Sequence, residues 1–470
     1  MRGWRRQIFL VVVMLLCFTQ VAQASEHNYV LEKGNRIPIP MAYRPVKVIE
    51  YLGEKGGFLN GAEDLFIDKN NRLYVADSQN NRVLKLTLDG EALAVFEGPE
   101  EKKLKTPRGV YVDDEGDIYI ADTGNQRILH LSSEGGYVEE FNKPESKLLS
   151  EDLVFDPNKL YINSTGYIYV IKSQAFLSMD ANNGFRGYLG ASRVEFDLQR
   201  VLIRMFATDE QIKRLPKQLP DSYSNFVIGE SGVIYATMIN AESGQIKKIT
   251  TAGKNIYPDK FYGEMKRDGL EITLPNFVDI AVDQKGILTT IDKTSGKIYQ
   301  YDQEGNLLAA FGGLGNQKGM FKIASSLVTD NEGQIYVLDV EANSIQILEP
   351  TNFIKLVHEA STLYNSGNYA QSRKVWEEVL KIDAKYNLAH RGIAKALVKE
   401  EKWKEAMDRY KLANDQEGYS EAFIQYRHSI FRQYTIWIAL AILAAVIALC
   451  YAYKFLRQSS ESALKRNMNW

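Results

Sequence analysis

The sequence predicts a mainly β protein, with a six-bladed β-propeller followed by a short α-helical solenoid and one transmembrane helix. Three observations predict this fold class. Residues 43–350 repeat one strand–turn–strand pattern six times, residues 353–431 repeat a helical pattern twice, and residues 434–453 are an uncharged apolar run. The composition, with 470 residues of which 45% are hydrophobic and 25% charged, excludes a disordered or polytopic chain.

Residues 1–24 are predicted to be a cleaved secretory signal peptide. Three arginines precede an apolar run at residues 8–18, and small residues around Ala24 fit a cleavage site. An uncleaved anchor is the alternative. The two cysteines, Cys17 and Cys450, both lie in apolar stretches, so we expect no disulfide framework.

The six-fold repeat is clearest in its first two units. The segment Asp64-LFIDKNNRLYVAD-Ser78 aligns without a gap with Gly109-VYVDDEGDIYIAD-Thr123, 45 residues later. Alternating strands joined by polar turns predict antiparallel hairpins. Six such units, each packing against its neighbours, predict a closed ring of blades. The turn position of the six units is occupied by Asn71, Gly116, Gly166, Gly232, Gly286 and Gly333.

The ring is predicted to close through its N-terminal strand. Val46-KVIEYLGEKGGFLN resembles the fourth strand and exit loop of a unit, yet it precedes the first unit. The sixth unit ends after three strands. We therefore expect the N-terminal strand to complete the last blade.

The segments TPRGVYVDDEGDIYIADTGNQRI (106–128) and EDLFIDKNNRLYVADSQNNRV (63–83) resemble the NHL-repeat family of six-bladed β-propellers. The resemblance covers about 65% of the chain and is weakest in units three and four. An aspartate ends the second strand of four units, where we expect it to cap the following turn rather than act in catalysis. These aspartates are Asp77, Asp122, Asp292 and Asp339.

A helical insertion is predicted at about residues 193–224, between the third and fourth units. Leu198, Val201, Leu202 and Met205 recur at helical spacing. The insertion is either a binding element or lid on the rim of the propeller, or a packed surface decoration.

Two segments, 353–386 and 387–420, align at a spacing of 34 residues and resemble tetratricopeptide repeats. A capping helix is predicted to follow and complete the region 353–431. Because no Gly- or Pro-rich linker flanks it, we expect a rigid post. The resemblance implies a peptide-binding concave face, and a structural spacer is the alternative. The aligned pairs are Ala360/Ala394, Tyr369/Trp403, Ser372/Ala406, Trp376/Tyr410 and Val379/Ala413.

Residues 434–453 are predicted to be a transmembrane helix, because they are long enough to cross a hydrocarbon core of ~30 Å. Lys454 and Arg457 follow directly, which favours a cytoplasmic tail at residues 454–470. Together with the signal peptide, this predicts a single-pass plasma-membrane protein whose large N-terminal part lies outside.

Few residues of the propeller favour catalysis. Only His130, of five histidines, falls in the blades, so a histidine-based zinc site cannot be assembled there. The inner ends of the blades should line the channel with Asp64, Arg108, Lys159, Asn225, Asp279 and Ser326. Asp64, Asn225 and Asp279 are candidate ligands for Ca²⁺, as in the six-bladed lactonases that this architecture resembles, but solvated channel residues are the preferred interpretation.

These features predict a non-enzymatic binding or scaffold protein outside the membrane, with protein partners, or a glycan or peptide ligand, in an envelope or nutrient-uptake complex. Its excess of acidic residues in the propeller makes nucleic acid an improbable partner. The alternative is a membrane-anchored calcium-dependent lactonase or hydrolase that uses the channel carboxylates. A third hypothesis is a receptor that passes a sugar or peptide signal to a membrane partner.

Overall fold

The computed structural model describes residues 28–467, except 145, 147–148, 150–153, 164, 173–174, 190–221, 230–231, 240, 251–252 and 270. The predicted signal peptide 1–24 lies outside the described residues, as does nearly all of the insertion 193–224. The last residues assigned to that insertion, Tyr223 and Ser224, instead begin the first strand of the fourth blade. The chain divides into two compact units between Thr362 and Leu363.

The first unit is a six-bladed β-propeller, as predicted. Each blade is one antiparallel sheet whose strands follow one another along the chain, except that N-terminal strands are added to the fifth and sixth blades. The turns between first and second strands define the face that we call the turn face, and the opposite face, where second strands end, is the cap face. Before the first blade come β1 (Tyr29–Glu32), β2 (Asn35–Pro38), β3 (Tyr43–Ile49) and the one-turn helix α1 (Gly53–Gly56).

The first blade consists of β4 (Asp64–Ile67), β5 (Leu73–Asp77), β6 (Arg82–Leu86) and β7 (Ala92–Phe96), and the second of β8 (Gly109–Val112), β9 (Ile118–Asp122), β10 (Arg127–Leu131) and β11 (Tyr137–Phe141). The third blade consists of β12 (Pro157–Ile162), β13 (Ile168–Lys172), β14 (Ala175–Met179) and β15 (Phe185–Tyr188), and the fourth of β16 (Tyr223–Ile228), β17 (Ile234–Met238) and β18 (Ile246–Ile249). The fifth blade contains β21 (Phe277–Val282), β22 (Leu288–Asp292), β23 (Lys297–Tyr301) and β24 (Leu307–Gly312), and the sixth contains β25 (Ala324–Thr329), β26 (Ile335–Asp339) and β27 (Ser344–Pro350). A separate hairpin consists of β19 (Lys266–Asp268) and β20 (Glu271–Thr273), and 3-10 turns cover Ser78–Asn80, Glu100–Lys102 and Thr123–Asn125.

The predicted closure of the ring is confirmed. Strand β3 pairs antiparallel with β27, with Ile345 opposite Ile49 and Pro350 opposite Tyr43, and so becomes the fourth strand of the last blade. A second N-terminal element was not predicted: the hairpin β1–β2 extends the fifth blade, because β1 pairs with β24. Both ends of the propeller chain are therefore held in sheets.

Five of the six turns on the turn face are held by a side-chain oxygen, and the turn of the fourth blade begins with Gly229 instead. In the second blade, Asp113 Oδ1 accepts hydrogen bonds from the backbone N–H groups of Glu115 and Asp117, at 3.0 and 2.8 Å. Gly116 then adopts a φ of +92°, which glycine tolerates far better than other residues. The equivalent turn residues of the six blades are Asp68, Asp113, Asn163, Gly229, Asp283 and Asp330.

The hydrophobic core lies between neighbouring blades. Leu65 and Val75 of the first blade, for example, belong to one buried cluster with Tyr336 and Ile347 of the last. Full burial of each such side chain contributes about 1.5–3 kcal/mol. Buried clusters of this kind lie at five junctions between blades, including the one between the last blade and the first.

Helix α2 (Asn352–Asn365) follows β27 directly. His358 on this helix is buried, and its Nε2 lies 3.0 Å from Gln300 Oε1 in the fifth blade. Gln300 in turn donates through Nε2 to the hydroxyl of Tyr43, at 3.0 Å. Burial, assisted by nearby Lys285, lowers the pKa of His358 to about 3, so the ring is neutral and can donate to Gln300. Hydrogen bonds therefore join this part of the helix to the propeller.

The second unit is helical. Its helices are α3 (Tyr369–Ile382), α4 (Asn387–Lys399), α5 (Trp403–Leu412) and α6 (Gln416–Asn467). Among the aligned positions, Ser372, Ala394 and Ala406 are buried, as are Trp376 and Tyr410. Helix α6 joins the predicted capping helix and the predicted span without interruption. It is the one helix in the described part of the chain that is long and apolar enough to cross a membrane.

Candidate functional site

The first strands of the six blades place one equivalent residue each around the central channel, near the cap face. We call this set the channel layer. Its members are defined by their register with the second strands and are Asp64, Gly109, Lys159, Asn225, Asp279 and Ser326.

The prediction of Arg108 in this layer is wrong by one residue. Gly109, not Arg108, pairs with Ala121 at the equivalent position. Arg108 is exposed, and its Nε lies 3.3 Å from the carboxylate of Glu63. Because side chains alternate between the faces of a strand, a shift of one residue removes a side chain from the layer.

An ion pair in the layer joins two blades that are not neighbours. The ammonium group of Lys159, in the third blade, reaches Asp64 Oδ1 in the first blade at 2.6 Å. A Cβ atom on Gly109 would lie only 2.3 Å from the backbone oxygen of Asn158. The second blade therefore contributes no side chain to the layer, and its backbone at Gly109 lies close to the backbone of the third blade.

Asp279 is the most heavily hydrogen-bonded member of the layer. Its Oδ2 accepts bonds from Ser326 Oγ at 2.5 Å and from the N–H of Leu327 at 2.8 Å. Its Oδ1 accepts bonds from Asn225 Nδ2 at 2.6 Å and from the N–H of Ile280 at 2.8 Å. These bonds connect the fourth, fifth and sixth blades through one buried carboxylate.

One cation and two buried carboxyl groups share the layer. Burial, together with the nearby charge of Asp64, raises the pKa of Asp279 to about 6, against the attraction of Lys159. Burial alone would lower the pKa of Lys159, but Asp64 and Asp279 together raise it above its usual value. Lys159 is therefore a cation at neutral pH, placed between two buried carboxyl groups.

The three candidate metal ligands, Asp64, Asn225 and Asp279, do belong to this layer, but their oxygens have other partners. Asn225 Oδ1 accepts from the N–H of Phe226 at 2.6 Å, and Asp64 Oδ2 accepts from the N–H of Val110 at 3.0 Å. Among the described residues, no group of three or more His, Cys, Asp or Glu side chains is arranged to hold a metal ion. The arrangement suits a Lys159 ammonium better than an oxygen-coordinated cation.

The predicted capping role of the strand-end aspartates is confirmed. Asp122 is fully buried and accepts from the N–H of Lys105 at 2.7 Å, from Asn125 Nδ2 at 2.8 Å and from Arg127 Nε at 2.8 Å. Asp77 makes the same bonds with Asn60, Asn80 and Arg82. These contacts hold turns of the cap face in place and leave the aspartates a structural role.

His130 also has structural contacts. Its ring stacks on Tyr119 with centroids 4.1 Å apart, and its nitrogens lie 3.2 Å from the carboxylates of Asp117 and Glu139. The ring is largely buried. These contacts make His130 a packed residue of the second blade.

Sequence reasoning missed a cavity of about 900 Å³ on the turn face, which we call the tyrosine groove. It lies across the second, third and fourth blades. Its walls combine four tyrosines with three acidic residues and several apolar side chains. The lining includes Tyr111, Tyr119, Tyr161, Tyr169, Asp113, Asp114, Glu115, Asn163, Leu189, Ile228, Ile234 and Thr250.

Differences between equivalent residues of the blades create this groove. Two residues after the channel layer, the first three blades carry the aromatic residues Phe66, Tyr111 and Tyr161, whereas the other three carry Val227, Ala281 and Val328. At the position equivalent to Asp113, the fourth blade has Gly229, whereas the other blades have an aspartate or an asparagine. These differences between equivalent residues are visible in the sequence. A comparison of the six repeats at each position could therefore have predicted the groove.

Comparisons with known proteins agree with the fold. The NHL repeat family model matches residues 104–131, in the second blade. No curated protein sequence matches the chain.

Several solved propeller structures are similar to this chain. They include a streptogramin B lyase, with 13% identity over 70% of this chain and 99% of that one and a TM-score of 0.40. A virginiamycin B lyase from Staphylococcus aureus has 12% identity over 68% and 87%, with a TM-score of 0.41. A gluconolactonase from Xanthomonas campestris has 14% identity over 66% and 96%, with a TM-score of 0.41. At these values no activity can be transferred to this chain.

Proposed function

We propose that this protein is a membrane-anchored binding protein without enzymatic activity. The propeller and the helices that follow lie outside the plasma membrane and hold a protein partner, in an envelope or nutrient-uptake complex. In this proposal, the protein acts through what its outer part binds.

One observation carries this proposal: the polar groups of the channel layer are committed to one another. Lys159 neutralises Asp64, and Asp279 is saturated by Ser326, Asn225 and two backbone N–H groups. Buried polar groups that are satisfied in this way rigidify a fold. The same side chains are the ones that a channel-based lactonase would need for its metal. Their contacts favour a structural channel and a binding function at the surface.

The helical unit supports a binding or spacing role. Trp376 packs so closely on Gly392 that a Cβ atom there would lie 2.3 Å from Trp376 Nε1. Tyr410 packs on Gly418 in the same way, also at 2.3 Å. Aromatic side chains that fill the space between helices are expected of tetratricopeptide-like repeats. In our proposal these helices are such repeats, and they either bind a peptide or separate the propeller from the membrane.

The sidedness of the membrane anchor can be tested by cysteine labelling. In a Cys17→Ala and Cys450→Ala background, Asp89→Cys and Ser459→Cys each place a single thiol, on an exposed propeller loop and in the tail respectively. We expect a membrane-impermeant maleimide to label position 89 in intact cells and position 459 only after permeabilisation. The reverse pattern would place the propeller inside and overturn the proposal.

The binding role can be tested by purification of the full-length protein from its native membrane in mild detergent, followed by mass spectrometry. We expect a stoichiometric protein partner. In a matched control, an apolar polyleucine segment of equal length replaces residues 435–453. A partner held by the outer part survives this change, and one held by the span does not. Recovery of the protein alone from both preparations would contradict the binding proposal.

A further inference from the structure

The tyrosine groove has an unusual chemical composition for a cavity of its size. Three of its lining residues, Asp113, Asp114 and Glu115, are acidic, and four are tyrosines. Its described lining includes no lysine, arginine or histidine. Its volume of about 900 Å³ is at the upper end of the range for ligand sites. The groove therefore has room for several residues of an extended chain.

The tyrosine rings of the groove are arranged at an angle to one another. The centroids of Tyr111 and Tyr161 are 4.8 Å apart with planes at 55°, and those of Tyr161 and Tyr169 are 6.4 Å apart at 48°. Tilted rings leave part of each face uncovered. Tyr111, Tyr161 and Tyr169 are also only partly buried, so their faces are accessible from the groove. Faces of tyrosine rings attract cations.

The acidic residues lie on one wall, in a single turn of the second blade. Asp113 uses Oδ1 for the turn itself, with N–H donors at 3.0 and 2.8 Å. Asp114 is 87% exposed, and its carboxylate is 4.0 Å from Lys69 at the edge of the first blade. Glu115 is exposed. The groove thus combines ring faces with a negatively charged wall.

We propose that the tyrosine groove binds a cationic side chain, lysine or arginine, within an extended segment of a partner protein. This inference rests on the proposed binding function and names its ligand. A cation gains from both features at once, because the ring faces attract it and the carboxylates neutralise it. A neutral glycan could stack on the rings but would not neutralise the carboxylates of Asp113 and Glu115, whereas Asp114 already lies 4.0 Å from Lys69. Charge complementarity therefore favours the basic peptide.

The repeats supply substitutions that the fold already accepts. Asp113→Asn introduces the residue that the third blade has at the equivalent turn, Asn163, whose Oδ1 makes the same bonds to Thr165 and Tyr167. Tyr161→Val introduces the residue of the fourth blade, Val227. The matched control is Asp330→Asn, which changes the same turn position in the sixth blade, outside the groove.

The test measures peptide binding to the full-length protein in detergent by fluorescence anisotropy. The probe is a labelled, end-blocked peptide with two arginines, and the reference is the same peptide with citrulline at both places. We expect the arginine peptide to bind and the citrulline peptide to bind at least tenfold more weakly. Asp113→Asn combined with Glu115→Gln, and Tyr161→Val alone, should each weaken arginine-peptide binding by roughly tenfold. Asp330→Asn should leave it unchanged.

The outcomes separate this inference from the proposed function. Equal binding of the two peptides, or equal effects of the groove variants and Asp330→Asn, would overturn the cationic ligand. Binding of maltoheptaose instead of the arginine peptide would assign the groove to a neutral glycan. In either case a partner that still co-purifies from the native membrane would leave the binding function intact. If the arginine peptide binds as expected but no partner co-purifies, the result contradicts the proposed function and not the ligand of the groove.

Discussion

Replacement of Lys159 with methionine is expected to lower the free energy of unfolding of the propeller by about 3–5 kcal/mol. Methionine keeps much of the volume of the side chain but removes the ammonium group 2.6 Å from Asp64 Oδ1. Asp64 and Asp279, which are 3% and 1% exposed, then remain buried without a counter-ion. The measurement is the chemical denaturation of the full-length protein in detergent, followed by near-ultraviolet circular dichroism of the tyrosines.

Lys297→Met is the matched control for this experiment. Lys297 is also buried, at 8% exposure, but its ammonium faces the ring of Tyr29 at 4.7 Å rather than a close carboxylate. Burial lowers the pKa of Lys297 to about 8, which shows that its environment disfavours the charge. Lys297→Met should therefore lower the free energy of unfolding much less than Lys159→Met does. Equal losses would mean that packing, and not charge, determines the effect at Lys159.

The effect of Lys159→Met should also depend on pH. In the unfolded chain an aspartate releases its proton near pH 3.8, whereas burial raises the pKa of Asp279 to about 6 in the folded protein. The folded form therefore binds more protons between these values, and stability falls as the pH rises through them. Without Lys159, the pKa of Asp279 rises further. We expect the stability deficit to be largest above pH 7 and to shrink toward pH 5.

The sequence was sufficient to predict the propeller because its repeats carry local information. The turn aspartates and Gly116 specify tight turns, and alternating apolar residues specify strands that bury one side against a neighbouring blade. The role of Asp122 was also predictable, because the asparagine and arginine that it holds follow within five residues. Features that depend on neighbours along the chain were therefore correctly predicted.

Contacts between distant blades were not predictable in the same way. Lys159 and Asp64 are 95 residues apart in sequence, and the blades that carry them are not neighbours. The error at Arg108 has a related cause, since a register shift of one residue cannot be seen in the composition of a strand. The sequence predicted that carboxylates and Lys159 share a layer, but not that they neutralise one another.

A second large effect is expected for Arg127→Met, which should lower the free energy of unfolding by about 3–5 kcal/mol. Arg127 Nε donates to Asp122 at 2.8 Å, and its Nη1 donates to Glu140 at 2.9 Å. Asp122 is fully buried, so it would keep its charge away from water with no cation beside it. The same denaturation experiment measures the loss.

The comparison variant is Arg36→Met. Arg36 also forms a short ion pair, but this pair is exposed to solvent. Arg36 contacts Glu264 through Nε and Nη2, at 2.6 and 2.8 Å, with 51% of its side chain exposed. Exposed pairs contribute at most about 1 kcal/mol.

If the desolvated charge of Asp122 causes the larger loss, Asp122→Asn in the Arg127→Met chain should recover part of it, because a neutral amide is less costly to bury. If Arg127→Met and Arg36→Met lower the free energy of unfolding equally, the arginine is not what stabilises Asp122. The backbone N–H of Lys105 and the side-chain amide of Asn125 would then be sufficient to stabilise it.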